Sequence, residues 1–195
     1  MTFDNDLRTP LPQVCLVTGP ARSGKSEWAE VLANQSGRAV WYVATAQTDP
    51  ADAEWQARIA AHRQRRPSTW TTLQVPTDLA ATIRRGTVTD CLLIDSLGTW
   101  LANQLDLDEA AWSETTQDLL LSLHQTASQV IIVAEETGWG IVPAYPLGRR
   151  FRDRLGTLTR QVAALSQRVY LVTAGHVLNL SQLGSPLPPL GSNRS

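Results

Sequence analysis

One run of residues constrains this chain more than any other: Gly19-Pro20-Ala21-Arg22-Ser23-Gly24-Lys25-Ser26. It satisfies G-x-x-x-x-G-K-[ST] in full. A β-branched apolar run, Val14 to Thr18, precedes it, and a helical pattern from Gly24 to Ala33 follows, with Trp28, Ala29, Leu32 and Ala33 on one face. That context makes the run a strand-to-helix phosphate loop. Gly19 and Gly24 let the backbone approach phosphate oxygens where a Cβ would not fit. The amides of residues 23–26 meet an anion at the positive end of the helix dipole. Lys25 adds a point charge on the transferring phosphate, and the Ser26 hydroxyl is a ligand for Mg²⁺. The competing interpretation is a glycine-rich turn without chemistry, which the flanking strand and helix weigh against. The motif implies a bound nucleoside triphosphate and is silent on the acceptor.

A phosphate loop needs a companion acid at the end of a neighbouring strand. Asp95 ends the apolar run Cys91-Leu92-Leu93-Ile94-Asp95 and fits as a partner of the metal through water. The alternative for Asp95 is a plain helix cap.

The apolar runs recur: Ala39 to Ala44, Cys91 to Asp95, Val130 to Ala134 and Val169 to Thr173. VCLVT, CLLID, VIIVA and VYLVT lack polar alternation, as strands buried on both faces do. Helical patterns separate them, over Asp52–Arg65, Asp78–Arg85, Leu97–Gln104, Asp108–Thr126 and Leu147–Gln167, and Trp70 to Val75 reads as a further strand. In the helix from Asp108, Leu119, Leu120, Leu123 and Ala127 are expected to face inward. The fold class expected is α/β, P-loop NTPase-like, a mainly parallel sheet with helices on both faces. We expect one catalytic domain over 14–180, an N-terminal extension over 1–13 and a flexible tail over 181–195.

Composition narrows the function classes. Lys and Arg total 17 against 18 acids, so no basic excess points to nucleic acid. No stretch approaches the roughly 18 apolar residues that span a bilayer, and the opening MTFDNDLRTPLPQ has no apolar signal core. A cytoplasmic enzyme is expected. Cys15 and Cys91 lie in apolar runs and read as small buried hydrophobes. Seven tryptophans are expected in cores or interfaces.

Six segments, taken with the loop, resemble the bifunctional adenosylcobinamide kinase / adenosylcobinamide-phosphate guanylyltransferase family. They are GPARSGKSEWAE (19–30), WYVATAQ (41–47), ARIAAHRQRRPSTWTT (57–72), LLIDSLGTWLANQL (92–105), EETGWGIVP (135–143) and RRFRDRLGTLTRQVA (149–163). The resemblance implies phosphorylation of adenosylcobinamide by ATP or GTP. It then implies transfer of GMP from GTP, through a guanylyl-histidine, to adenosylcobinamide phosphate. The matching nucleophile is His62. A neutral imidazole is nucleophilic near pH 7, since its ordinary pKa is about 6.5. The neighbouring Arg63, Gln64, Arg65 and Arg66 are expected at the nucleotide, the arginines as forks for phosphate oxygens. Periodicity alone favours a solvated helix face here, and it is the surrounding motif that reverses that reading. His124 reads as a surface residue and His176 as a loop residue near the site.

The same resemblance places Val43, Ala44 and Thr45 at the nucleotide, and Gln74 near the guanine, where the family often carries an acid. Glu135 stands where the family usually has Asn, and Thr159-Arg160 where it has Asn-Gln. Glu136 matches and is a candidate base for the acceptor hydroxyl, with a purely structural loop as the alternative for both acids. Arg150, Arg152 and Asp153 open a helix that is a candidate for phosphate or a partner subunit. A homotrimer is expected. Two rival functions remain: a small-molecule P-loop kinase without guanylyltransfer, and a nucleotide-gated regulatory protein without transfer chemistry.

Overall fold

The computed structural model describes residues 12–47 and 66–187. Along the chain the elements are β1 (Val14–Gly19), α1 (Lys25–Gln35), β2 (Ala39–Ala44), β3 (Thr71–Gln74), α2 (Leu79–Arg85), β4 (Asp90–Asp95) and α3 (Leu97–Ala102). They continue with α4 (Glu109–Gln125), β5 (Gln129–Glu135), α5 (Pro146–Leu165), β6 (Arg168–Thr173), β7 (His176–Asn179) and α6 (Leu180–Leu183). The expected helix over 52–65 lies outside the described residues.

The strands form one sheet in the order β3-β2-β4-β5-β1-β6-β7. Every pairing is parallel except β6 with β7. Period-two alternation splits the side chains of each strand between two cores. Cys15, Val17, Tyr42, Leu93 and Val133 pack beneath Ala29, Leu32 and Ala33 of α1. Val14, Leu16, Val43, Leu92 and Ile132 pack on the other face against α2, α3, α4 and α5 through Ile83, Trp100, Leu119 and Leu158. Burial on both faces explains the unbroken apolar runs of β1, β4 and β5.

Trp28, Trp41, Trp70, Trp100 and Trp112 serve these cores, and Trp139 is exposed. Trp28 meets Tyr170 edge-on at 5.7 Å, and Trp100 lies 5.8 Å from Trp112. Arg154, buried at 8% exposure, stacks over Trp112 and donates to the carbonyls of Leu105 and Leu107. Cys15 and Cys91 are fully buried, as expected.

Three expectations are corrected. β6 is not buried on both faces: within it only Tyr170 and Val172 are fully covered, because it lies next to the edge of the sheet. β7 was not anticipated, and His176 begins this strand instead of lying in a loop. The turn before it places Ala174 at φ 49° and Gly175 at φ 73°, the left-handed pair that reverses a hairpin, spelled with an alanine that rarely takes that conformation. Ala127 is exposed because α4 stops at Gln125 and Thr126 turns extended. Beyond residue 180 the chain continues as α6, where Ser181 Oγ accepts from the Val169 amide at 2.9 Å.

Candidate active site

In a parallel sheet all carboxyl ends gather on one side. Here that side holds Gly19, Ala44, Gln74, Asp95 and Glu135. From β1 the chain turns through Pro20–Gly24 into α1. Arg22 lies at φ 59° and Gly24 at φ 92°, so the loop curls back on itself, and Ser23 N donates to Pro20 O at 3.3 Å. Gly24 is the N-cap of α1 and offers its first-turn amides no side-chain acceptor. Those amides are left for a ligand. The Ser23 hydroxyl is buried and has no hydrogen-bond partner among the described residues. Gly19 cannot be another residue, since a Cβ there would overlap the Val172 carbonyl of β6. Lys25 Nζ folds over the loop and donates to Pro20 O at 3.4 Å. Ala21 and Arg22 form the exposed tip.

Asp95 faces this cradle. The Ser26 hydroxyl donates to Asp95 Oδ1 at 3.4 Å, which brings together the two sequence-predicted metal residues from separate elements. A hydroxyl and a carboxylate are the hard oxygen donors that Mg²⁺ takes, so the residues present fit that ion.

The other carboxylate oxygen is held by a residue that sequence reasoning missed. Tyr42, 4% exposed, donates its hydroxyl to Asp95 Oδ2 at 2.8 Å. Burial, and next the Asp95 charge, push the Tyr42 phenol far above its ordinary value, so it stays a donor. Arg66 lays its guanidinium over the Tyr42 ring, 3.1 Å from the centroid. The Arg66 Nε has no hydrogen-bond partner among the described residues. His62, Arg63, Gln64 and Arg65 lie outside the described residues.

The segment after β2 is a brace. Thr45 is fully buried, and its Oγ1 donates to Ser96 O at 2.7 Å and accepts from Ser96 N at 2.8 Å. Asn103 Nδ2 donates to Thr45 O at 2.7 Å. The Thr45 hydroxyl is therefore already engaged, and Val43 is sealed in the core at 0% exposure. Of the three residues expected at the nucleotide, only Ala44 keeps a half-exposed position. Gln74 ends the edge strand β3, exposed, opposite Ala44 in register. Four strand spacings separate it from β1, about 19 Å at roughly 4.8 Å each.

Glu135 ends β5, between Asp95 of β4 and Gly19 of β1. Ser96 Oγ donates to one carboxylate oxygen, and Gly98 N donates to the other at 2.9 Å. A Cβ at Gly98 would overlap that carboxylate. The Glu135 carboxylate thus secures the first turn of α3, next to Asp95. Glu136 follows, its amide donating to Gly19 O at 2.9 Å and its Oε1 accepting from Gly138 N at 2.5 Å. Arg149 Nη1 donates to the carbonyls of Pro143 and Ala144, fixing the end of this loop. Arg150 reaches Leu105 O at 3.5 Å, and Arg152 pairs with Asp153. His124 is exposed, as expected.

Comparison with known proteins adds an independent line. The sequence profile of the family described as "Cobinamide kinase / cobinamide phosphate guanyltransferase" matches residues 15–180. The bifunctional adenosylcobalamin biosynthesis protein CobP of Pseudomonas aeruginosa is 44% identical over 174 residues, covering 88% of this chain and 98% of that one. The bifunctional adenosylcobalamin biosynthesis protein CobU of Escherichia coli is 36% identical over 175 residues, covering 82% of this chain and 95% of that one. A structural-project protein of Pyrococcus horikoshii OT3 superposes with a TM-score of 0.53 at 6% identity, covering 97% of this chain and 99% of that one, a likeness of fold alone.

Proposed function

The chain belongs to the cobinamide kinase / cobinamide phosphate guanyltransferase family, and from that membership we propose the following course for its two reactions in cobalamin biosynthesis. In the first, the hydroxyl on the aminopropanol arm of adenosylcobinamide attacks the γ-phosphorus of ATP or GTP. The bond from that phosphorus to the β-bridging oxygen breaks, and the hydroxyl proton passes to a base, for which Glu136 is the candidate. Lys25 and the first-turn amides of α1 neutralise charge that builds on the transferring group. Ser26, and Asp95 through water, would hold Mg²⁺, which supplies further charge neutralisation on the phosphate oxygens.

In the second reaction an imidazole nitrogen of His62 attacks the α-phosphorus of GTP and expels pyrophosphate. A phosphate oxygen of adenosylcobinamide phosphate then attacks the same phosphorus, the N–P bond breaks, and adenosylcobinamide-GDP forms. Splitting one transfer into two gives each step a better leaving group. Arg63, Arg65 and Arg66 are assigned to the triphosphate, and Gln64 and Gln74 to the nucleotide side of this step. An amide at Gln74 accepts from guanine less completely than an acid would.

The observation that carries the reading is the Ser26–Asp95 pair, 3.4 Å apart at the mouth of an uncapped helix. No helix among the described residues is long and apolar enough to cross a membrane, and we place the enzyme in the cytoplasm. The exposed apolar run Trp139, Ile141, Val142, Tyr145 and Leu147 supports assembly, which we take to be a homotrimer. The decisive test is α-labelled GTP followed by alkaline denaturation. Wild-type protein should retain an alkali-stable, acid-labile label and His62→Ala none, while phosphorylation of cobinamide continues. Kinase turnover without a label on wild type would leave a monofunctional kinase. Nucleotide binding with neither reaction would leave a regulatory protein.

A further inference from the structure

We propose that Tyr42 is a positioning residue that couples the two reactions, its hydroxyl fixing the Asp95 carboxylate and its ring stationing Arg66. The inference rests on the functional reading above. Tyr42 sits in the middle of β2, with Thr72 of β3 on one side and Leu93 of β4 on the other in register. Its backbone is thus pinned by two ladders and its ring by the α1 core. From this rigid base it does two separate things.

The first concerns Asp95. Ser26 takes Oδ1 and Tyr42 takes Oδ2, so both oxygens are held from opposite elements. A carboxylate held at one oxygen only can rotate about its terminal torsion, which is broad. Holding both gives an incoming metal one orientation to meet. The phenol donates to a charged acceptor, the stronger class of hydrogen bond.

The second concerns Arg66, which directly follows His62-Arg63-Gln64-Arg65 in sequence. Stacking uses the face of a guanidinium and leaves its in-plane N–H groups unspent. The Nε without a partner among the described residues is one such group. An arginine parked this way presents its edge donors to phosphate oxygens, with the face already anchored. A simple core aromatic would need neither the bond to Asp95 nor a cation on its ring.

Two replacements that preserve shape separate these roles. Tyr42→Phe removes the hydroxyl and keeps the ring. Pentafluorophenylalanine at position 42 keeps the phenylalanine shape and reverses the ring quadrupole. Mn²⁺ serves as the metal probe, its affinity read by electron paramagnetic resonance with a non-hydrolysable GTP analogue. Label formation from α-labelled GTP reports on the histidine step. Tyr42→Phe should weaken Mn²⁺ binding about tenfold. The fluorinated variant should bind Mn²⁺ as Tyr42→Phe does, and form the label about fivefold more slowly than Tyr42→Phe. Wild-type Mn²⁺ affinity in Tyr42→Phe would overturn the first role. Equal label rates in the two variants would overturn the second. Wild-type protein that binds no manganese-nucleotide and takes no label would instead overturn the functional reading, and this inference with it.

Discussion

Replacing Thr45 with valine decides whether this threonine binds nucleotide or braces the sheet. Valine has the same shape and lacks the hydroxyl. In the structure that hydroxyl contacts Ser96 O, Ser96 N and Thr99 Oγ1, at 2.7, 2.8 and 2.5 Å, in a fully buried setting. The loss is partly cushioned. Ser96 N keeps Thr99 Oγ1 at 3.2 Å as a second acceptor, and Ser96 O still accepts from Trp100 N at 3.1 Å. A poorly satisfied buried donor costs about 1–3 kcal/mol. The added methyl returns about 0.8 kcal/mol where it fits. A net loss of about 1 kcal/mol follows, which lowers the thermal midpoint of a chain this size by about 2–4 °C. Thermal unfolding measures it, alongside KM for GTP in the kinase step. The brace account expects the midpoint to fall with KM changed less than about threefold, since uniform binding would be untouched. An unchanged midpoint with KM raised tenfold would refute it and return Thr45 to the nucleotide.

Two further outcomes follow from the same geometry. Lys25→Ala should cut nucleotide-dependent turnover by about 10²–10³, the usual cost of deleting one group that stabilises transition-state charge; near-normal steady-state rates would sink the phosphate-loop assignment. Burial pushes the Cys91 thiol from 9.0 up to about 11, so the unfolded thiol ionises first as pH rises. Its contribution is full below pH 9 and is lost as pH climbs through 11, amounting to about 3 kcal/mol. Urea unfolding across that range should fall more steeply for wild type than for Cys91→Ala, and parallel slopes would contradict it.

The strands of the sheet interior were legible because burial on two faces leaves only apolar residues to write them with. β1, β2, β4 and β5 follow from Val14–Thr18, Ala39–Ala44, Cys91–Asp95 and Val130–Ala134 to within a residue or so. β7 was not legible, since His176–Asn179 is a short edge strand entered through Ala174-Gly175, without the Asn-Gly or Asp-Gly that marks a hairpin. The strand-to-helix turn at residues 19–26 was legible because its signal is local, confined to one stretch of sequence. Asp95 followed from it by strand position. Tyr42 was hidden inside an apolar run, where a tyrosine reads as one more core aromatic. Only the pairing of β2 with β4, a contact between residues far apart in sequence, sets its hydroxyl against Asp95. The engaged hydroxyl of Thr45 was hidden for the same reason: its partners, Ser96 and Thr99, come from the next strand's end.

The pair Glu135-Glu136 shows how position divides labour between neighbours of identical chemistry. Glu135 ends β5 opposite Gly19 in register, and its carboxylate turns toward α3. There it meets the Gly98 amide in the first helical turn, where negative charge is favoured, and the Ser96 hydroxyl. Both its oxygens are engaged, so it is poorly placed to take a proton from an acceptor. Glu136 is tied to the phosphate loop through its backbone, by the bond from its amide to Gly19 O. Its backbone is thereby anchored beside the turn that opens α1. Its side chain accepts from the Gly138 amide through Oε1. The start of α3 therefore absorbs the Glu135 carboxylate, and Glu136 remains the candidate for the base.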